Sequence, residues 1–474
     1  MLVLPVRLYA PLAMCLALSA CDQAQPQSFT AVEPNEQLSA GTGTVTKSDH
    51  NAFSLPSANL SPSRRLDFGV GNSFFRNPWL IAPSTISARD GLGPLFNTNT
   101  CQSCHIKDGR GHPPTSDSDN AVSMFVRLSI PAKPGQEALL ERHGVIPEPV
   151  YGSQLQDVAI PGAVPEGRIR VNYTSELVTL KDGTRIELQK PELEILQLGY
   201  GSLHPDTLFS ARVAPPMIGL GLLEAVPEAA ILVNADPDDL DRDGISGRPN
   251  RVWDHASRSS RLGRFGWKAG QPSINQQNAD AFFNDLGLST SLIAGSNCGE
   301  AQLGCLQLPS GGQPEVSDHI LAQVLFYTRN LGVPVRRKFD DPQVLQGKGL
   351  FHEAGCQRCH IPSFTTAANA AEPELVSQVI RPYTDLLLHD MGKGLADDRP
   401  EFLANGREWR TPPLWGLGLT ETVSGHTRFL HDGRARSSLE AILWHGGEAE
   451  GARKAVMDFD AEQRAALQSF INSL

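Results

Sequence analysis

The chain has 474 residues, a formal net charge of −11, 40% hydrophobic and 20% charged residues, and 8 cysteines. Its length allows two or three domains, and an acidic balance without a basic run excludes a nucleic-acid partner. Beyond the N-terminus no segment approaches the roughly 18 apolar residues of a membrane span, so the body is expected as a soluble globule.

At the N-terminus Arg7 precedes an apolar run from Leu8 to Ala20, too short for a bilayer span and of export-signal length. It ends in Leu18-Ser19-Ala20-Cys21, which resembles a bacterial lipobox. The resemblance implies a signal over residues 1–20, cleavage before Cys21, a lipid on its thiol, and a periplasmic protein anchored to the membrane. The alternative is an ordinary secretory signal cut after Ala20. From Asp22 to about Ser63 the chain is rich in Gln, Ser, Thr, Ala, Pro and Gly without periodicity. Residues 21–65 are therefore expected to form a flexible tether.

The first region, residues 66–334, carries Cys101-Gln102-Ser103-Cys104-His105-Ile106, which recurs as Cys356-Gln357-Arg358-Cys359-His360-Ile361. In both copies a Leu-Phe pair, Leu95-Phe96 and Leu350-Phe351, stands at the same distance upstream. A CxxC alone also suits zinc or thiol redox chemistry; a His directly after each narrows the reading to c-type haem attachment. Two thiols add to the haem vinyl groups, and the adjacent imidazole coordinates iron. The expectation is two covalently bound haems c, one on Cys101, Cys104 and His105, the other on Cys356, Cys359 and His360. A single zinc on the four thiols is the competing reading.

Between the motifs, Leu177–Leu180 and Arg185–Leu188 flank Lys181-Asp182-Gly183-Thr184, an Asp-Gly hairpin signal. Asp239, Asp241 and Asp243 followed by Gly244 match the start of an EF-hand loop, although Asn250 stands where the bidentate Glu belongs. The choice there lies between a loose calcium site and an Asx-rich turn. With Cys15, Cys21 and the four motif thiols assigned, Cys298 and Cys305 remain. A small-loop disulfide is their simplest reading, two buried thiols the alternative.

The second region, residues 335–474, ends in a helix with an Asp460/Gln463 capping box and an apolar face of Leu467, Phe470, Ile471 and Leu474. Ser437 and Glu440 form a second capping box, and His445 borders that helix's apolar face before Gly446-Gly447. The fold class expected is mainly α, with a β-containing insert in the first region.

Three further runs carry a family resemblance: Tyr383–Gly392, Glu408–Gly416, and Phe429–Ala435 through Ala441–Gly447. They are similar to the C-terminal half of the di-haem oxidoreductase family, relatives of bacterial di-haem cytochrome c peroxidases and of the di-haem enzyme that matures methylamine dehydrogenase. Matching segments extend from about Arg89 to the C-terminus. The resemblance implies two cytochrome c-like haem domains facing each other, electrons received at the second haem, and peroxide or another small oxidant meeting the first. It places His445 where the relatives carry the distal Met or Tyr of the second haem. It also implies a carboxylate beside the first haem, for which Glu224, aligned through Met217–Glu224, is the candidate. The expected donor is a small cytochrome, a cupredoxin or a quinol-linked carrier. The competing function is a di-haem electron-transfer cytochrome with no substrate of its own.

Overall fold

Pro62 opens the Pro62–Arg76 helix at its first position, where its missing N–H costs nothing. Phe68, Gly71 and Phe75 form its buried stripe, which packs on the Asp318–Arg329 helix. Gly71 permits this approach, since a Cβ there would stand 2.2 Å from the Gln323 carbonyl oxygen. Asp318–Arg329 also meets Ile274–Leu286. Ser273 caps that helix by accepting the Gln276 N–H, and Gly287 ends it at φ +70°. These three helices back the first motif. The computed structural model describes residues 29–116, 119 and 122–474. The expected leader and Cys21 therefore lie outside the described residues, among which no helix is long and apolar enough to cross a membrane.

The second motif rests on a different pair. Asp341 caps Pro342–Glu353, and Gly355 at φ +80° turns the chain directly into Cys356. Against it lies Ala461–Ser473, with the expected Asp460/Gln463 capping box and with Leu467, Phe470, Ile471 and Leu474 buried. Ser437 caps Ser438–Leu443 through the Glu440 N–H, but that capping box is only half made. The Glu440 carboxylate turns instead to the Arg436 N–H and guanidinium.

A mainly α fold is not what forms. Only 29% of the structure is helical, and 17% is strand. Among the described residues the strands make six separate two-stranded sheets. The longest pairs Arg168–Thr179 with Arg185–Leu196 antiparallel through the expected Asp182-Gly183 turn. Its tip is tied to the C-terminal helix by an Arg464–Asp182 ion pair of 2.6 Å. Met124–Ser129 pairs with Leu208–Val213 beside the first motif. Leu388–Asp390 pairs with Glu408–Arg410 beside the second. With 43 Gly and 35 Pro in the chain, helices are cut short and the segments between them turn back as hairpins and loops.

Residues 29–65, expected as a flexible tether, instead run as a strap across the body. Val45 donates to Val333 O (2.9 Å) and accepts from Val335 N (2.7 Å), while Ala40, Ala52, Phe53 and Leu60 are buried. Glu36, 1% exposed, is ion-paired with Arg336 and Lys348. A few well-placed apolar and charged anchors fix this polar stretch. One apolar cluster joins Met124, Val126 and Trp267 of the first region to Trp409, Phe429 and Leu443 of the second, so the two regions share a core.

Candidate functional site

Both motifs open on one cavity of about 1090 Å³, larger than the roughly 300–1,000 Å³ that suits one ordinary ligand. At the first, Thr100 caps a single turn, Cys101–Cys104, which points both thiols to the same side. Left-handed Lys107 and Asp108 then reverse the chain. The His105 Nδ1–H donates to Pro215 O at 2.8 Å. At the second, the His360 Nδ1–H donates to Tyr383 O at 2.9 Å. Each carbonyl selects the tautomer that leaves Nε2 available, as a metal-bound imidazole requires. Burial pushes both imidazoles down to about 4, so they are neutral ligands at physiological pH.

His445 repeats this arrangement. Its Nδ1–H donates to Ala441 O at 2.7 Å, burial lowers its pKa, and it lines the cavity close enough to His360 for the two charges to interact. The structure thus brings Cys356, Cys359, His360 and His445 together. The two thiol pairs do not converge on each other. Among the described residues, the clusters able to hold a metal are Cys359 with Asp385 and His389, and Asp236 with Asp239 and Asp241. A zinc on four thiols is therefore not formed.

Glu224 lies elsewhere. Its Oε1 accepts the Ile274 N–H at 2.9 Å and its Oε2 the Arg329 Nε–H at 2.6 Å. Leu220 and Leu223 reach the cavity wall and Glu224 does not. It anchors the start of the Ile274–Leu286 helix, as carboxylates at helix N-termini do. The cavity wall beside the first motif carries Asp285 instead, a residue sequence reasoning missed. Burial raises its pKa to about 6, with Arg127 pulling the other way, and its charge acts on both Cys101 and Cys104. Gln154 Nε2 donates to Oδ1 at 2.8 Å, and among the described residues Oδ2 has no hydrogen-bond partner. An Asp two positions before a helix-ending Gly reads in sequence as surface charge, so no local signal marked it.

Three more cavity residues escaped the sequence reading. Arg110, Arg264 and Arg410 are largely desolvated, which lowers each pKa, and among the described residues they hydrogen-bond only to carbonyls. Arg110 reaches Leu430 O at 2.6 Å and leaves Nε unpartnered. Arg264 bonds Val226 O at 2.6 Å, and Arg410 bonds Gly266 O at 2.9 Å. Asp432, Glu228 and Asp385 act on them only from beyond ion-pairing distance, which leaves these guanidiniums open to anions from outside the chain. Haem propionates are such anions, so the donor set and the buried cations both fit two haems.

Three other cavity-lining residues of ligand type, Met217, His431 and His389, differ in what they touch. Met217 packs with Phe75, the ring beside His105, on that imidazole's side of the first site. His431 stacks on Trp409 at 3.7 Å. His389 is clamped between Glu448 (2.6 Å from Nδ1) and Asp385 (2.8 Å from Nε2), with Cys359 Sγ at 3.6 Å. Burial opposes its charge, yet the two carboxylates hold the ring protonated and closed to iron. In the acidic loop Asp243 departs from the expected set. Its Oδ2 pairs with Arg358 at 3.3 Å, and Asp236 joins Asp239 and Asp241 in its place. Cys298 and Cys305 form the expected disulfide.

The family model described as "Di-haem oxidoreductase, putative peroxidase" matches residues 35–474. No protein of curated function matches the chain. Among solved structures, a chain of Kuenenia stuttgartiensis hydrazine synthase pressurized with xenon aligns at 15% identity and a TM-score of 0.23. The alignment covers 38% of this chain and 63% of that one, less than two thirds of its length.

Proposed function

Because the chain belongs to the di-haem oxidoreductase family, we propose that it is an exported, lipid-anchored peroxidase that takes electrons at the second motif and reduces peroxide at the first. When bound, the two covalent haems supply one-electron carriage and an iron able to take a peroxide oxygen. The observation that carries the reading is the asymmetry between the motifs. His360 lies near a second preorganised imidazole, His445, whereas the thiols of the first motif, Cys101 and Cys104, feel the Asp285 carboxylate of the cavity wall.

The chain's own residues divide the work accordingly. His360 and His445 are the two imidazoles that would hold the second haem, whose chemistry there would be electron carriage. Asp285, with a pKa near 6, is poised to take a proton from peroxide and return it to the leaving oxygen. Gln154 and Arg127 orient its carboxylate. Per peroxide, two electrons and two protons yield two waters. Exposed residues also stand in the cavity wall at two places. Exposed Arg142 and His143 mark one, on the Asp285 side, where His255 links the rim to the Ile274–Leu286 helix through Gln276. Exposed Asp243 and Arg358 mark the other, at the second motif.

Low-temperature EPR of the oxidised and half-reduced protein, with and without cyanide, tests the reading. One low-spin iron that ignores cyanide and one that binds it are expected. Two irons that stay low-spin and bind no small ligand in any redox state would leave only an electron carrier.

A further inference from the structure

Cys298 and Cys305 close a loop that lies beside the first site. Its outer side chains have little packing to hold them: Leu303 is 89% exposed and Leu306 67%. Gln302, in contrast, turns inward and is buried. It accepts the Gly299 N–H at 2.6 Å on Oε1 and donates from Nε2 to Glu166 Oε1. Glu166 is fully buried, and its Oε2 accepts the Gln156 N–H at 2.6 Å. Gln156 in turn donates from Nε2 to Asn284 O at 3.0 Å, an oxygen it shares with Gln154, the residue that holds Asp285 Oδ1. The loop's other end makes a second link. Asn297 donates from Nδ2 to Leu95 O at 2.9 Å, and just beyond Leu95 the Asn97 and Thr98 N–H groups both donate to Asp285 O, at 2.8 and 3.1 Å, on the way to Cys101. This junction is tight, since a Cβ on Gly287 would stand 2.7 Å from Leu95 O and 3.3 Å from Asn297 Nδ2.

We propose that the Cys298–Cys305 disulfide is a redox-sensitive latch on the first site. Closed, it holds Gln302 and Asn297 against the two segments that fix Asp285; opened by a dithiol reductant, it lets both go. Its effect on turnover rests on the proton-transfer role proposed for Asp285. A disulfide across so short a loop takes less entropy from the unfolded chain than one across a long loop, so its main action is local, on residues 298–305. Without it Gln302 is held by hydrogen bonds alone, and its departure leaves the buried Glu166 carboxyl short of a donor. Glu166 and Gln156 then relax together, and the end of the Ile274–Leu286 helix relaxes with them. Opening proceeds by thiol–disulfide exchange. One donor thiolate attacks the partly exposed Cys298 sulfur, Cys305 leaves and takes up a proton, and the donor's second thiol then releases Cys298 as a thiol. Two electrons and two protons pass to the chain, and the donor leaves as a disulfide.

The test compares the haem-loaded protein with its Cys298→Ser, Cys305→Ser form, which is open without a reductant that would also act on the irons. Gln302→Ala, which keeps the disulfide and removes its hold on Glu166, is the second variant. Hydrogen exchange read by mass spectrometry should be about tenfold or more faster in both over residues 93–98 and 284–288, with exchange around Cys356 and the second haem's spectrum unchanged. The limb of peroxide turnover near pH 6 should move upward in both, because the Gln154 bond that lowers the Asp285 pKa is loosened. Leu303→Ala, in the same loop but facing solvent, should change neither. In the native protein a dithiol should make both cysteines open to alkylation and reproduce the exchange pattern of the double variant. Native exchange over residues 93–98 and 284–288 in either variant would overturn the latch. So would an acceleration spread evenly over the chain, or a disulfide that resists the dithiol until the protein unfolds. Because exchange needs no peroxide, the latch can fail while the peroxidase reading stands, and the reverse.

Discussion

Replacing Asp285 with Asn is the sharpest test of the proton-transfer role. The change keeps the side chain's size and an Oδ1 that can still accept the Gln154 Nε2–H bond of 2.8 Å, but it removes the group that carries a proton. With a pKa near 6, about nine in ten Asp285 side chains are ionised at pH 7 and about one in ten at pH 5. If the carboxylate accepts the first peroxide proton, turnover of the native protein should fall roughly ninefold between those pH values, along a limb centred near 6. The Asn variant should lose that limb and turn over about a hundredfold to ten-thousandfold more slowly, the usual worth of a positioned acid/base. Cyanide binding at the first haem should stay the same, because the pocket is unchanged in shape. Burial of this carboxylate also has a stability consequence of definite sign. Its folded pKa lies above the ordinary 3.8, so the folded state binds the extra proton, and stability falls as pH rises from about 4 to about 6. The Asn variant should escape that loss and be at least as stable as the native protein at pH 7. The assay is steady-state peroxide reduction from pH 4.5 to 8 beside thermal unfolding. A variant that retains both native turnover and the limb near 6 would refute the assignment.

Changing Cys356 and Cys359 together to Ala should leave one covalent haem by mass of the denatured protein, where the native chain retains two. His445→Ala should convert the low-spin, cyanide-insensitive signal to a high-spin or water-bound one while the first haem's spectrum stays unchanged; no spectral change would reduce His445 to a helix-end residue. Glu224→Gln should lower the melting temperature, since it weakens the ion pair with Arg329, yet leave peroxide turnover within about twofold, and a hundredfold loss would return Glu224 to the chemistry. Cys21→Ser should move the protein from the membrane fraction to the soluble one and abolish metabolic labelling with fatty acid.

What was legible in the sequence follows from how local each signal is. The Asp182-Gly183 turn and the Asp460/Gln463 cap each concern a few consecutive residues, and the structure forms them where the sequence places them. The short capped helix that His445 follows was legible for a related reason, because its cap lies within the same few residues. Asp285 was not, because what makes it unusual comes from Gln154, Arg127 and two distant thiols rather than from its neighbours. The strap was misread because the composition of 21–65 dilutes its anchors. Glu36 finds Arg336 and Lys348 some three hundred residues away, and no window of sequence contains both partners. The overcount of helix extended one convincing C-terminal helix to a chain whose middle is hairpins and loops.

The same distance effect explains why fold and cofactor are best treated as one problem here. Arg110, Arg264 and Arg410 are desolvated beside a large cavity, hydrogen-bond only to carbonyls among the described residues and have their nearest carboxylates beyond ion-pairing distance, and a buried cation costs several kcal/mol unless an anion meets it. A chain selected to fold empty would place carboxylates there, as it does for Arg212 with Glu401 at 2.8 Å and for Lys268 with Asp397 at 2.9 Å. The guanidiniums that lack such partners are the residues that would hold haem propionates, and the apolar cavity walls would suit two macrocycles. Low helix content is then no anomaly. In a body whose centre would be filled by two large flat groups, short hairpins and straps need only present the right side chains to those groups, and long helices packing on one another become unnecessary.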